Sequence, residues 1–138
     1  MRNGLNFKLR SKNTIRGDTD KWIFNEVFLR DIYFLKKNII IDNALIIDVG
    51  SNIGFFSILA AKSANNVSVF SIEPEPENFQ LLKENINLNN INNISPMQLA
   101  LSNRKGKKFL YLCKNNNGGH SFYLQPQKFD NKVAVDTI

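Results

Sequence analysis

Asp48-Val49-Gly50-Ser51-Asn52-Ile53-Gly54 is the stretch of this 138-residue sequence whose residue types and spacing best suit a ligand. It closes a short apolar run and opens a helical pattern, so a ligand would meet backbone where glycine leaves room. The dinucleotide fingerprint Gly-x-Gly-x-x-Gly needs glycine at positions 52 and 55, and these are Asn52 and Phe55. Asp48 places a carboxylate just before the loop. It repels a pyrophosphate and attracts a cation, by a few kcal/mol at ~4 Å near a surface. S-adenosylmethionine, with its sulfonium and ammonium groups, has the matching polarity. Glu73 ends the next apolar run, where a carboxylate accepts hydrogen bonds from both hydroxyls of a ribose. NAD shares that ribose, so Glu73 does not separate the two cofactors. Each piece alone has a plainer reading: glycine packing, a helix cap at Asp48, a solvated carboxylate at Glu73. In this order, each in its element, they point to a cofactor.

The elements that must position these residues follow from periodicity. Residues 5–10 alternate apolar and polar, as a half-buried strand does, and residues 13–18 read as a turn broken at Gly17. Asp18, Thr19 or Asp20 caps a helix predicted to run to about Lys37. Its apolar positions are Ile23, Phe24, Val27, Phe28, Ile32 and Leu35. Residues 44–49 predict a strand buried on both faces. A helix over 55–64, a strand over 67–72 and a helix from Pro76 to about Leu88 follow. A third strand is predicted over 94–101, with Pro96 favouring an edge or an irregular start. Two βαβ units imply a parallel sheet. After a turn at 103–106, residues 107–112 form a strand whose expected hairpin partner is the end of the strand before it. Residues 115–119 read as a loop, and 133–135 begin another strand.

Composition bounds the function. Hydrophobic residues at 43% and charged residues at 22% are globular values, so wholesale disorder is excluded. One cysteine and one histidine exclude a disulfide framework and a structural zinc site, and no metal is expected. No apolar run approaches the ~20 residues of a membrane span, and the N-terminus lacks a secretory stretch. The expectation is a soluble, cytoplasmic protein. The net charge of +6 is uneven: +4 over residues 1–42, −3 over 43–102 and +5 over 103–138. The acidic centre suits a cationic cofactor, while scattered lysines read as solvated faces rather than a nucleic-acid footprint. His120, the only imidazole, has a suitable ordinary pKa for a base but reads as loop polarity. Cys113 reads as a buried thiol, and Trp22 with the first helix's phenylalanines as core.

Three blocks resemble the FkbM family of methyltransferases: Ile47-Asp48-Val49-Gly50-Ser51-Asn52-Ile53-Gly54, Ile72-Glu73-Pro74-Glu75-Pro76-Glu77-Asn78-Phe79, and Leu82-Lys83-Glu84-Asn85-Ile86-Asn87-Leu88-Asn89. Ala100-Leu101-Ser102 before Gly106, and Gly118-Gly119-His120-Ser121, agree as well. The resemblance implies an α/β, Rossmann-like class I methyltransferase fold, a parallel sheet with flanking helices. It divides the chain into an N-terminal segment, 1–42, and an S-adenosylmethionine-binding half-domain, 43–138. It implies methyl transfer to a hydroxyl of a saccharide or small-molecule natural product. By position, Gly50, Ser51, Asn52 and Gly54 line the methionine portion, Asp48 sits under the ammonium, Glu73 holds the ribose, and Ala100 and Leu101 lie near adenine. The strand that follows in the family, with its acidic motif, has no counterpart, so the chain reads as a fragment incomplete at its C-terminus, leaving an apolar sheet edge beside residues 44–49. Two alternatives stay open. One is an RNA (tRNA) methyltransferase, since helices like 82–89 occur there too, although a nucleic-acid partner is disfavoured. The other is a non-catalytic remnant.

Overall fold

The computed structural model describes residues 4–10, 15–37, 39–114, 116, 118–123 and 128–138. Its central sheet has three parallel strands, β1 (Leu45–Val49), β2 (Ser68–Ile72) and β3 (Ile94–Met97), in the order β1-β2-β3. In register, Val49 lies beside Ile72, and Ile72 beside Met97. The loop after β1 and Glu73 after β2 therefore emerge at the same end of the sheet. The crossovers carry α2 (Phe55–Ala61) and α3 (Pro76–Leu88). α3 starts as Pro76 predicts, with the Glu75 carboxylate as its cap, accepting from the Asn78 N–H at 2.6 Å. α2 and α3 pack Phe55, Ile58, Leu81, Leu82 and Ile86 against Ile46, Val69 and Ile94.

That arrangement corrects the expectation for β1. Both helices contribute to the core on the Ile46 and Val69 side, so β1 alternates instead of being buried on both faces. Leu45, Ile47 and Val49 are exposed. β3 also ends four residues early, because residues 100–102 leave the sheet to pair elsewhere.

Residues 5–10 join no strand, contrary to their alternation. They run along α3, held by two asparagines one turn apart that imitate a strand partner. Asn85 accepts from the Lys8 N–H (2.6 Å) and donates to the Lys8 carbonyl (3.3 Å). Asn89 does the same for Asn6, at 2.9 and 2.7 Å. Phe7 then packs edge-on against Phe24, Phe28 and Phe55, with ring centroids 4.9–6.4 Å apart. The long first helix is also divided. α1 (Ile15–Phe24) passes into a π-helical stretch, Asn25–Arg30, which ends at Asp31 in the left-handed region (φ 53°). Only a 3₁₀ turn, Leu35–Lys37, follows. Trp22 is 56% exposed, so it is not core; Phe24 and Phe28 take that place. The predicted turn at 13–18 is helical from Ile15 onward, and residues 13 and 14 lie outside the described residues.

The hairpin expectation is corrected as well. β4 (Gly106–Cys113) pairs antiparallel with β5 (Phe129–Thr137), not with β3. Leu110, Leu112, Val135 and Ala100 make a second small core, which draws residues 100–102 to the far end of β5. The Ala100 N–H donates to the Asp136 carbonyl (2.9 Å), and the Ser102 N–H to that of Ile138 (2.9 Å). His120 Nδ1 accepts from the Cys113 N–H at 3.1 Å, tying the segment after β4 back to its end, and Cys113 is half-buried. Residues 115 and 117 of the predicted loop lie outside the described residues. Among the described residues, no helix is long and apolar enough to cross a membrane.

Candidate functional site

The loop after β1 is folded back on itself and satisfies its own donors. The N–H groups of Gly50 and Ser51 both donate to the Ile72 carbonyl (2.8 and 3.0 Å). That of Asn52 donates to Glu73 Oε2 (2.8 Å), that of Ile53 to Asn52 Oδ1 (2.8 Å), and that of Gly54 to the Ser51 carbonyl (2.9 Å). Every backbone N–H from Gly50 to Gly54 thus has an acceptor within the chain. A pyrophosphate-binding loop keeps such groups free for the anion, and this loop does not.

The path requires positive φ at Gly50 (79°), Asn52 (51°) and Gly54 (92°). At Gly54 a Cβ would also lie 2.6 Å from Leu82 Cδ1, so the glycine sets how closely loop and α3 approach. Ser51 clips the turn by donating its hydroxyl to the Asp48 carbonyl (3.0 Å).

Two carboxylates flank the loop. Asp48 Oδ2 accepts from the Ser57 hydroxyl at 2.5 Å, and Ser57 in turn meets Ser71. Burial pushes the Asp48 carboxyl above its ordinary pKa, opposed by the Ser57 and Ser51 hydroxyls. Tyr33 rests its ring obliquely on Phe56, 4.8 Å between centroids. Its hydroxyl pKa is raised by partial burial, then by the charges of Asp48 and Glu26.

Glu73 is 4% exposed. Its Oε1 accepts from the Glu75 N–H (3.0 Å) and from Asn78 Nδ2 (3.2 Å), and its Oε2 from Asn52. Burial raises its pKa, opposed by these three hydrogen bonds. A carboxylate oxygen has two lone-pair directions, so the single hydrogen bond from Asn52 leaves one direction on Oε2 without a donor among the described residues.

Behind Glu73 lies a buried ion pair that the sequence did not signal. Arg10 clamps Asp20 with Nη2 (2.7 Å), Nε (3.2 Å) and its backbone N–H (2.9 Å), and Asp20 is wholly buried. Arg10 Nη1 donates to Asn78 Oδ1 (2.6 Å), and Nη2 reaches Asn52 Oδ1 (3.5 Å). The guanidinium thereby fixes which way the Asn78 amide faces, leaving Nδ2 for Glu73. Of the expected site residues, Asp48, Gly50, Ser51, Asn52, Gly54 and Glu73 are gathered here. Ala100 is buried in the second core, and Leu101 lines a groove beside β4. Arg10, Asp20, Ser57, Asn78 and Tyr33 were missed. Their pairings, such as Arg10 with Asp20 and Ser57 with Asp48, follow no spacing rule, apart from Asn78 in the first turn of α3.

Comparison with known proteins refines this picture. A tRNA(Phe) (4-demethylwyosine(37)-C(7)) aminocarboxypropyltransferase of Methanocaldococcus jannaschii is 38% identical over 56 residues, 41% of this chain and 22% of that protein. A protein of Beauveria bassiana called Methyltransferase 1 is 23% identical over 116 residues, 84% of this chain and 45% of its own length. The chain thus spans less than half the length of these curated relatives. A solved Pyrococcus horikoshii protein superposes with a TM-score of 0.50 at 22% identity, over 71% of this chain and 34% of that one, a likeness of fold. The M. jannaschii TYW2 structure in complex with AdoMet is 34% identical, with a TM-score of 0.42, over 48% of this chain and 31% of that one. The TRM5/TYW2 methyltransferase domain matches residues 22–107. This overturns the FkbM resemblance, and with it the saccharide or small-molecule acceptor and the disfavoured nucleic acid. The blocks that suggested FkbM fall inside the matched span, apart from residues 118–121. The chain belongs to the TRM5/TYW2 methyltransferase domain family, whose cofactor is S-adenosyl-L-methionine.

Proposed function

We propose that this chain is the cofactor-binding part of a cytoplasmic enzyme that modifies a base of tRNA with a group from S-adenosylmethionine. The family match over residues 22–107 carries the reading, and the loop geometry supports it. A donor-saturated loop beside a buried carboxylate suits a cationic ligand better than a phosphate. In this reading Asp48 faces the ammonium, while Gly50, Ser51, Asn52 and Gly54 shape the wall for the methionine portion. Glu73 accepts one ribose hydroxyl on its remaining lone pair. When bound, the cofactor supplies an electrophilic carbon on its sulfonium. The chain's part is to hold that carbon in line with the base and to exclude water.

A second reading concerns the group transferred. The relative at 38% identity is named for aminocarboxypropyl transfer, which uses another carbon on the same sulfur. Incubating the chain with unmodified tRNA and cofactor labelled in either the methyl or the carboxyl carbon separates the two. Methyl label in the tRNA is the expected result, and carboxyl label would select the second reading. Neither label, together with no tRNA binding, would overturn the proposal.

A further inference from the structure

A groove of about 650 Å³, with Leu101 in its wall, opens beside β4. That volume falls in the range of small-ligand sites, roughly 300–1,000 Å³. Most of its wall lies beyond the matched domain, which ends at residue 107. The wall is aromatic: Phe109 and Tyr111 from β4, and Phe122 and Tyr123 from the segment folded over it. Tyr123 is 81% exposed and Phe109 more than half exposed, a poor place for large rings unless something covers them.

Cations accompany the rings. Lys132 Nζ stands 4.2 Å from the Phe109 ring centroid, and Lys108 Nζ 5.6 Å from that of Phe122. Lys108 is held over the groove by two neutral acceptors, Ser102 Oγ (2.5 Å) and Asn103 Oδ1 (3.3 Å). No carboxylate among the described residues forms a salt bridge with it. An ammonium fixed beside an aromatic wall, on a segment carrying +5, matches a ligand with flat faces and negative charge.

We infer that this groove holds unpaired nucleotides of an RNA, with bases stacked on Phe109 and Tyr123 and a phosphate at Lys108. The partner's class rests on the tRNA reading above; the surface does not. Single-stranded RNA is bound by this combination, since every base has a face to stack and every linkage a charge to neutralise. An apolar protein partner would have to bury the lysines that stand over the rings.

The test is fluorescence anisotropy of the full chain with a labelled oligouridine of about ten nucleotides, and with tRNA, at low salt. S-adenosylhomocysteine titrated by calorimetry is the control. Removing the two exposed rings (Phe109→Ala with Tyr123→Ala) should weaken oligouridine binding about tenfold or more and leave the homocysteine compound's affinity unchanged. Lys108→Ala should lower the slope of log affinity against log salt by roughly one. Undiminished oligouridine and tRNA binding by both variants would overturn the groove and leave the tRNA reading standing. Weakened S-adenosylhomocysteine binding would assign the groove to the cofactor instead. No RNA binding by the unaltered chain would overturn both.

Discussion

Around Glu73 the charged groups face inward and each has a named hydrogen-bond partner. Along β4 and β5 they face solvent and stand over open rings. Arg10 and Asp20 form their pair with side chains 7% and 0% exposed, while Lys107 and Asp136 form theirs at 76% and 65%. The same two kinds of charge therefore do different things. In the first region they fix the orientation of asparagines that hold the 48–54 loop. In the second they stand at the surface, Lys107 paired with Asp136 and Lys132 set over the Phe109 ring.

Removing one partner from each pair tests that contrast most sharply. Arg10→Ala leaves a buried carboxylate without its cation and should cost about 3–5 kcal/mol. Lys107→Ala should cost less than about 1 kcal/mol. Urea denaturation of both variants measures the difference, and equal costs would erase the distinction. A smaller effect separates two glycines within the loop. Gly54→Ala meets Leu82 and adopts a φ of 92°, so it should cost about 2–3 kcal/mol. Gly50→Ala meets nothing within 4 Å and bears only the backbone penalty at 79°, about 1 kcal/mol. Thermal unfolding ranks them.

The smallest expected effect is on pH dependence. Burial raises the Asp48 pKa in the folded state, so the folded protein holds that proton more tightly than the unfolded chain. The contribution to stability is full below the unfolded value and is lost as pH rises through the raised one. Asp48→Asn should flatten stability across that window relative to the unaltered chain, in denaturation series at matched pH. The hairpin variant Lys107→Ala should leave this slope unchanged.

The sheet and α3 were legible because local signals agreed with the global fold. Apolar runs ended in Gly50 and Glu73, and Pro76 stood where a helix begins. Residues 5–10 were misread because alternation reports a partner without saying which. Here the partner is a pair of asparagine side chains, Asn85 on α3 and Asn89 just past its end. The one-sided burial of β1 depends on both helices sharing a face, which no local pattern encodes. Trp22 was misjudged because hydrophobicity alone does not tell which flank of α1 meets Phe7. In the site, Asp48, the glycines and Glu73 were visible as a motif. The buried Arg10–Asp20 clamp was not, since it joins residues whose pairing exists only after folding. The family was mistaken because the quoted blocks suit more than one group of S-adenosylmethionine enzymes.

The central claim is that the 48–54 loop, through the Asp48 carboxylate, selects its cofactor by the ammonium group. Calorimetric titration of the chain with S-adenosylhomocysteine at neutral pH, beside NAD and beside Asp48→Asn, tests it directly. The account predicts saturable binding of the homocysteine compound, no heat from NAD, and affinity about tenfold lower in Asp48→Asn, the loss of one close charge pair. Binding of NAD, or an Asp48→Asn variant that is folded and binds S-adenosylhomocysteine as tightly as the unaltered chain, would contradict it.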